Sequence, residues 1–185
     1  MPLILDRIDA PIGTLLLVCD GEALVALDFD DDERGLRHDL AKLGFRETLE
    51  SGTAPARVRQ ALERYFTGDP AAIDAIAVRY AGSPFRRQVH AALRTIPAGE
   101  TRSYGEIAAA IGRPGASRAV GLANRSNPIA IVVPCHRVIG ANGTLTGYAG
   151  GLARKRWLLA HEARYAKGQA REGQGALPPE PPTRN

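Results

Sequence analysis

The segment SYGEIAAAIGRPGASRAVGLANR, residues 103–125, predicts two short helices joined by a tight turn. Glycine and proline at 112–115 separate the two helices, because these residues interrupt helical structure. Ser103 and Glu106 have the spacing of a capping box, which places the start of the first helix. Residues 103–111 and 116–125 are therefore a candidate helix-turn-helix, although most helix pairs of this kind do not contact DNA.

The second helix of this pair carries small residues along much of its length. They are Ala116, Ser117, Ala119, Gly121 and Ala123. One interpretation is a thin helix packed tightly in a core, and the other is a helix that approaches a nucleic acid backbone closely. In the second case Arg113, Arg118 and Arg125 would supply phosphate or base contacts. Each arginine by itself could equally be a solvated surface residue.

The run from Pro128 to Pro134, Pro-Ile-Ala-Ile-Val-Val-Pro, predicts a buried strand that ends at Cys135. A cysteine in such a place is normally a small core residue. The polar neighbours His136 and Arg137 favour a reactive thiol instead, because the thiolate is the nucleophile and needs a group that removes its proton. Successive residues of a strand face opposite sides, so a turn after Pro134 would have to bring Cys135 and His136 to one side.

A catalytic His136 would also need a carboxylate to orient its ring. Glu162, in the last predicted helix, is a candidate by residue type only, since spacing cannot select it. The alternative is that His136 is a structural histidine beside an apolar strand.

The pattern changes near residue 80, after an N-terminal part that alternates and turns like strands. Residues 3–30 predict strands with a hairpin at Asp20-Gly21. An acidic stretch follows, for which a solvated turn is favoured over a metal site. The predicted elements beyond it are helices over 34–44 and 54–67 and a strand over 73–78.

The C-terminal part is predicted to be mainly helical, with helices over 84–95 and 152–165 flanking the helix pair. Residues 166–185 are rich in Gly, Gln and Pro, which predicts a disordered tail. The predicted domains are therefore 1–80 and 81–165.

The composition limits the partners, the cellular location and the metal sites that the sequence predicts. The 185 residues carry a net charge of +4, which is compatible with nucleic acid binding but does not prove it. The sequence has neither a long apolar run nor a secretory start, so we expect no membrane span and a cytoplasmic location. Two cysteines cannot form a four-cysteine zinc site, and no metal site is predicted.

The motif Pro-Cys-His-Arg-Val at 134–138, with Asn127-Pro128 before it, closely resembles the active-site signature of methylated-DNA–protein-cysteine methyltransferases, also called O(6)-alkylguanine-DNA alkyltransferases. The resemblance is strong over 84–163 and looser over 1–80. The matching context consists of Ser103-Tyr104, Arg118-Ala-Val-Gly121, Gly147-Tyr-Ala-Gly-Gly-Leu152 and the segment 155–162. The resemblance implies an α+β fold, with an N-terminal ribonuclease-H-like sheet-and-helix domain and a C-terminal winged helix-turn-helix domain.

The resemblance also implies chemical roles. Cys135 would accept the alkyl group, His136 would act as the base through a water, and Glu162 would hold the imidazole. Asn127 would order the turn between the recognition helix and the active site, and Lys155 would lie near the leaving oxygen. The implied base pocket consists of Val138, Tyr148, Ala149 and Gly150.

On the DNA side, the resemblance implies that the recognition helix enters the minor groove, where small residues suit a narrow space. Arg118 would fill the gap that an extruded nucleotide leaves in the base stack, and Tyr104 would help to rotate that nucleotide out. The other implied contacts are Ala116, Ser117, Ala119, Gly121 and Arg125.

The implied function is direct repair of double-stranded DNA by an enzyme that acts once. The alkyl group of O6-alkylguanine, and of O4-alkylthymine, would pass irreversibly to Cys135 without a cofactor, in a monomeric protein that contacts no membrane. Three alternatives stay open: a related module that binds alkylated DNA without repairing it, a cysteine hydrolase that turns over repeatedly, and a transcription regulator.

Overall fold

The computed structural model describes residues 1–29 and 33–166. The centre of the predicted acidic turn, residues 30–32, and the predicted disordered tail 166–185, except for residue 166, lie outside the described residues. The strands are β1 (Leu3–Ala10), β2 (Gly13–Asp20), β3 (Ala23–Phe29), β4 (Leu49–Ser51), β5 (Arg102–Ser103) and β6 (Val138–Ile139). The helices are α1 (Glu33–Lys42), α2 (Ala56–Thr67), α3 (Pro84–Leu93), α4 (Tyr104–Ala110), α5 (Ser117–Arg125) and α6 (Leu152–Ala166). Short 3-10 helices lie at Ala72–Ala75 and Cys135–Arg137. The predicted α+β class, with a sheet in the N-terminal part and a helical C-terminal part, is confirmed.

Strands β1 to β3 form an antiparallel sheet, and β4 joins the free edge of β1 in parallel. The centre of β2 is uninterruptedly apolar because both faces of the sheet are covered. Leu16 and Val18 pack on one face with Leu36 of α1. Leu15 and Leu17 belong to the core on the opposite face, which includes residues of α2.

Helices α4 and α5 confirm the predicted helix pair to within one residue at each end. The Ser103 hydroxyl accepts a hydrogen bond from the Glu106 backbone N–H (3.2 Å), and the Glu106 carboxylate accepts one from the Ser103 N–H (2.7 Å). Gly112 and Gly115 in the connecting turn have φ values of 71° and 93°, a region that favours glycine. Local chemistry therefore specifies this motif.

Two predicted strands are wrong. Residues 73–78 contain a 3-10 turn, in which Ile73 and Ile76 are buried three residues apart, a spacing that suits a turn better than a strand. Residues 128–134 form a succession of turns, and only Ile129 makes a strand-like bridge, to Leu27. The prolines that bound this segment lack the N–H groups that a strand ladder needs. In addition, the short strands β4, β5 and β6 were not predicted.

The N-terminal and C-terminal parts share one large apolar core. It contains Leu17 and Leu62 from the first part together with Val133 and Leu158 from the second. The rings of Phe66 and Trp157 lie 6.1 Å apart across the same contact. The division near residue 80 therefore separates two kinds of secondary structure that pack against each other.

Candidate active site

Cys135 lies at the start of the 3-10 turn that follows Pro134. The turn is closed by hydrogen bonds from the Cys135 N–H to the Val133 carbonyl (2.7 Å) and from the Arg137 N–H to the Pro134 carbonyl (2.9 Å). A catalytic pair of Cys135 and His136 requires a turn after Pro134, and the structure has this turn.

Cys135 is only 6% exposed, but it lines a cavity of about 680 Å³ beside α5. The cavity walls bring the end of α5 together with the glycine-rich segment before α6. They include Tyr104, Gly121, Asn124, Asn127, Tyr148 and Ala149. The sulfur therefore borders a space next to the second helix of the pair and is not sealed in the core.

Asn127 holds the segment between α5 and Cys135. Its side-chain amide donates to the carbonyls of Val133 (2.7 Å) and Ile129 (3.4 Å), and its oxygen accepts from the Ile129 N–H (3.0 Å). The segment contains Ile131 with φ 68°, an unusual backbone conformation for a β-branched residue. The side chain of Asn127 thus supplies the hydrogen bonds that a strand would otherwise have provided.

The Glu162 carboxylate is the centre of a fully buried polar cluster. The Nε2 atom of His136 lies 2.8 Å from its Oε1 atom, and Arg137 donates to both carboxylate oxygens at 2.8 and 2.9 Å. Tyr65, from α2, donates its hydroxyl hydrogen to the same Oε1 atom at 2.8 Å. Burial acts to raise the pKa of Glu162, but His136 and Arg137 outweigh it and hold that pKa well below its usual range.

This cluster orients the ring of His136. Burial lowers the pKa of His136, against the opposing effect of Glu162, so the ring is neutral at pH 7. Because Glu162 is ionised, Nε2 must carry the ring proton and donate it, which leaves Nδ1 as the basic nitrogen. Nδ1 is buried and has no hydrogen-bond partner within the described part of the chain.

The resting thiol of Cys135 is protonated at neutral pH. Burial raises the pKa of Cys135 to about 11, although a hydrogen bond from Asn127 and the charge of Lys155 act in the opposite direction. Ordinary thiols have a pKa of about 8.5. A reaction at this sulfur therefore needs a base that takes the proton as the bond forms.

Lys155 is fully buried at the base of the loop that precedes α6. Its ammonium group donates to the carbonyls of Val138 (2.6 Å) and Thr146 (2.8 Å). The hydroxyl groups of Tyr104 and Thr146 are hydrogen-bonded at 3.0 Å. Lys155 and Tyr104 therefore fix this loop from two sides.

The predicted base-pocket residues divide into two groups. Tyr148, Ala149 and Gly150 line the cavity with Cys135, whereas Val138 is fully buried and is not part of the cavity wall. A Cβ atom at position 150 would overlap the ring of Phe29, so only glycine fits there. Phe29 also contacts the Tyr148 ring edge to face, with centroids 6.3 Å apart.

The predicted DNA-contacting residues lie on and around α5. Arg118, Ala119 and Arg125 are exposed, and Ala116, Ser117 and Gly121 are half-buried. Leu122, between Arg118 and Arg125 in the sequence, is 69% exposed. A Cβ atom at Gly121 would lie 3.8 Å from the Tyr104 ring, an ordinary van der Waals distance, so this tyrosine lies directly beside α5.

Three residues of the site were not predicted from the sequence. Tyr65 is 97 positions from Glu162 and showed only the spacing of a core helix residue. Arg137 was noted beside His136, but its two bonds to Glu162 require α6 to pack on the 3-10 turn. Asn124, at the end of α5, donates to the Cys135 carbonyl at 3.5 Å and gave no signal of its own.

Residues 1–29 and 33–166 contain neither a helix suited to span a membrane nor a cluster of metal ligands. None of the helices there has the length and apolar character that a membrane span needs. In the same residues, no three metal-ligating side chains cluster closely enough to hold an ion.

Comparison with known proteins matches both parts of the chain. Residues 5–80 match the family described as the 6-O-methylguanine DNA methyltransferase ribonuclease-like domain, and residues 84–164 match its DNA binding domain. The methylated-DNA–protein-cysteine methyltransferase of Salmonella typhimurium is 50% identical over 161 residues, which cover 85% of this chain and 94% of that relative. The same enzyme from Mycolicibacterium paratuberculosis is 51% identical over 159 residues, with 86% and 92% covered.

Solved structures agree with this match. The Mycobacterium tuberculosis OGT crystallised in complex with DNA is 44% identical, covers 88% of this chain and 94% of its own, and superposes with a TM-score of 0.74. The Pyrococcus kodakaraensis O6-methylguanine-DNA methyltransferase is 25% identical with a TM-score of 0.67, over 86% of this chain and 98% of its own. The chain therefore belongs to the methylated-DNA–protein-cysteine methyltransferase family, enzymes that repair alkylated DNA.

Proposed function

We propose that this protein transfers the alkyl group of O6-alkylguanine, and of O4-alkylthymine, in double-stranded DNA to Cys135 in a single turnover. One observation carries the proposal: Cys135 borders a cavity beside α5, and the residue after it, His136, is oriented by Glu162. A reactive thiol, an oriented base and an adjacent space for a purine are the three parts that the reaction needs.

The reaction exchanges one bond for another. A lone pair of the Cys135 sulfur attacks the alkyl carbon, the S–C bond forms as the C–O6 bond breaks, and the bonding electrons leave with the purine oxygen. The thiol proton passes to Nδ1 of His136, directly or through a solvent molecule, and a proton returns to the purine to give guanine. The thioether has no easy reverse path, so each protein molecule acts once.

Glu162 assists by staying ionised. When His136 takes the proton it becomes a cation, and the buried carboxylate stabilises that cation. Because Tyr65 and Arg137 also donate to Glu162, the carboxylate is a weak base and the proton stays on the imidazole. The base is therefore the histidine, and Glu162 is its positioning partner.

The leaving purine carries developing negative charge. We assign its stabilisation to donors around the cavity, the Tyr104 hydroxyl and the Ala149 backbone N–H. Lys155 contributes indirectly, since its ammonium group is engaged by two carbonyl oxygens and holds the loop that carries Tyr148 and Ala149.

We propose that α5 binds the duplex from the minor groove. The M. tuberculosis relative crystallised in complex with DNA supports DNA binding, but not the choice of groove. The target base lies inside the stack and must be extruded to reach Cys135, at a cost of a few kcal/mol. Arg118 is exposed on α5 and can fill the vacated space, while Ala119 and Gly121 leave room for the backbone.

The test is a mass measurement. The protein is incubated with a duplex that contains one O6-methylguanine and is then digested. The masses of its peptides are measured by mass spectrometry. We expect one methyl group on the peptide that contains Cys135 and at most one transfer per molecule. Cys135→Ala should abolish the transfer, and Cys19→Ala, at a fully buried cysteine, should retain it. Repaired DNA with unmodified protein would instead indicate a hydrolase.

A further inference from the structure

Arg154, in the first turn of α6, connects the N-terminal sheet to the glycine-rich segment beside Cys135. Its Nε atom donates to the Ile12 carbonyl at 3.0 Å, in the turn between β1 and β2. Its Nη1 atom donates to the carbonyl of Gly150, a residue of the cavity wall, at 3.2 Å. One guanidinium group therefore bonds a backbone carbonyl in each of the two parts of the chain.

The same guanidinium group stacks on the ring of Phe29, the last residue of β3. The Cζ atom of Arg154 lies 4.2 Å from the ring centroid, which is a cation–π distance. Phe29 is buried and lines the cavity, where it packs against Tyr148 and Gly150. A Cβ atom at Gly13 would lie 3.3 Å from Nη2 of Arg154, so glycine leaves room for this approach. Phe29 and Arg154 thus form one support behind the cavity wall.

The segment that they support has little regular structure. Three of the five residues 147–151 are glycines, which lose more conformational freedom on folding than any other residue. Lys155 and Tyr104 bond to Thr146, just before this segment. The contacts from Phe29 and Arg154 act further along, on Tyr148 and Gly150. The position of the wall therefore depends on side chains that lie outside it.

We propose that Arg154 and Phe29 are positioning residues for alkyl transfer, which hold the wall segment 148–150 where the extruded base must lie. This inference rests on the proposed function, in which the same segment borders the base and supplies the Ala149 N–H. The two residues act through the wall and not on the reacting atoms. The N-terminal sheet thereby takes part in the reaction.

The experiment separates positioning from DNA binding. Methyl transfer to Cys135 from a duplex with one O6-methylguanine is followed in a single turnover at increasing duplex concentration. The data give the rate constant at saturation and the duplex concentration at half saturation. The final amount of methylated protein counts the folded molecules, so partial unfolding lowers the amplitude and leaves the rate constant unchanged.

The variants are Arg154→Met, Phe29→Leu and the two combined. Arg156→Met is the matched control, because it removes the same charge from an exposed position on the same helix. Labelling of Cys135 by iodoacetamide is measured in all of them, since this small reagent needs the thiol and not the wall.

We expect each single variant to lower the rate constant at saturation by about tenfold or more, because a displacement of about 1 Å near the reacting atoms can cost on the order of a hundredfold. The duplex concentration at half saturation should stay the same, since α5 is unaltered. The double variant should be about as slow as the slower single variant, because both residues act on one wall. Arg156→Met should change neither value.

An unchanged rate constant at saturation in either single variant would overturn the inference. Effects that multiply in the double variant would mean that the two residues act separately, which also overturns it. Slower iodoacetamide labelling in the variants would place the defect at the thiol itself, with the same consequence. If the unmodified protein carries no methyl group on Cys135 after the reaction, the proposed function fails instead, so the two failures are distinguishable.

Discussion

At the scale of single residues, the buried charge of Glu162 holds the site together. Tyr65, His136 and Arg137 come from two different parts of the chain, and each donates to the same carboxylate. A buried ion pair adds little net stability compared with apolar residues of the same size, but removing one partner leaves a charge without compensation. The cluster is therefore sensitive to single substitutions.

Replacing Glu162 by glutamine should destabilise the fold by about 3–5 kcal/mol, because the Arg137 guanidinium would remain buried without a counterion. Denaturant unfolding measures this change. The control is Glu63→Gln, at an exposed position on α2, which should change the free energy of unfolding by less than about 0.5 kcal/mol. Similar values for the two variants would contradict the role of the cluster.

The reactivity of Cys135 towards a small reagent such as iodoacetamide should rise steeply with pH. Since the pKa of Cys135 is raised to about 11, the thiolate fraction increases about tenfold per pH unit between pH 7 and 9. Labelling rates followed by mass spectrometry measure this, with Cys135→Ala to subtract reaction at Cys19. A plateau below pH 9 would mean that the resting protein already stabilises the thiolate.

At the scale of elements, the two helices of the pair begin for different reasons. The start of α4 is fixed by neighbouring residues, and the start of α5 is fixed by packing. Helix α4 begins with a complete capping box, whereas the cap position of α5, Ala116, makes no side-chain hydrogen bond. The start of α5 instead depends on the Gly112–Gly115 turn and on the buried residues Val120 and Ala123.

Ser103→Ala should therefore destabilise the protein by about 1 kcal/mol, because the Glu106 N–H loses its acceptor. Chemical unfolding measures this loss. Ser117→Ala is the matched control at the first residue of α5 and should have a smaller effect. Equal losses in the two variants would show that the capping box contributes nothing specific.

At the scale of the whole molecule, α6 connects the two parts of the chain. The Trp157 ring stacks on His161 at 4.8 Å and contacts Phe66 of α2. The ring nitrogen Nε2 of His161 is hydrogen-bonded to the Tyr65 carbonyl at 2.7 Å. A site that depends on both Tyr65 and Glu162 thus requires the two parts to be docked.

We expect the protein to unfold in one cooperative transition, because its largest apolar core includes residues of both parts. Trp157 fluorescence reports the contact between them, and far-ultraviolet circular dichroism reports the total helix and strand content. The two signals should share one denaturant midpoint. Separate midpoints would show that the parts unfold independently.

Stability should fall as the pH decreases from 7 to 5. Burial lowers the pKa values of His90, His136 and His161 in the folded state, so below about 6.5 the unfolded chain binds more protons than the folded one. Each histidine can contribute at most about 1.4 kcal/mol per pH unit. The loss of folding stability starts as the pH drops below the histidine pKa of the unfolded chain, about 6.5.

Denaturant unfolding at pH 7, 6 and 5 checks this expectation. His161→Gln should reduce the dependence on pH, because it removes one of the three histidines whose pKa is lowered by burial. A flat profile between pH 7 and 5 in the unmodified protein would contradict it.

The sequence by itself determined the features that depend on neighbouring residues. Three such features involve groups that are only a few residues apart, so the sequence is enough to predict them. They are the Ser103–Glu106 cap, the glycine turn before α5 and the position of Cys135 beside His136. Helices α2, α3 and α6 were predicted for the same reason, since helical spacing is local.

Only the tertiary structure decided which distant groups meet. The segment 128–134 has the composition of a strand, yet it forms turns, and the Asn127 side chain bonds the Ile129 and Val133 carbonyls within them. Tyr65 reaches Glu162, and Asn124 reaches the wall beside Cys135, because helices pack at angles that no local pattern encodes. Those contacts form when apolar faces are buried together, and the burial of each face depends on the rest of the molecule.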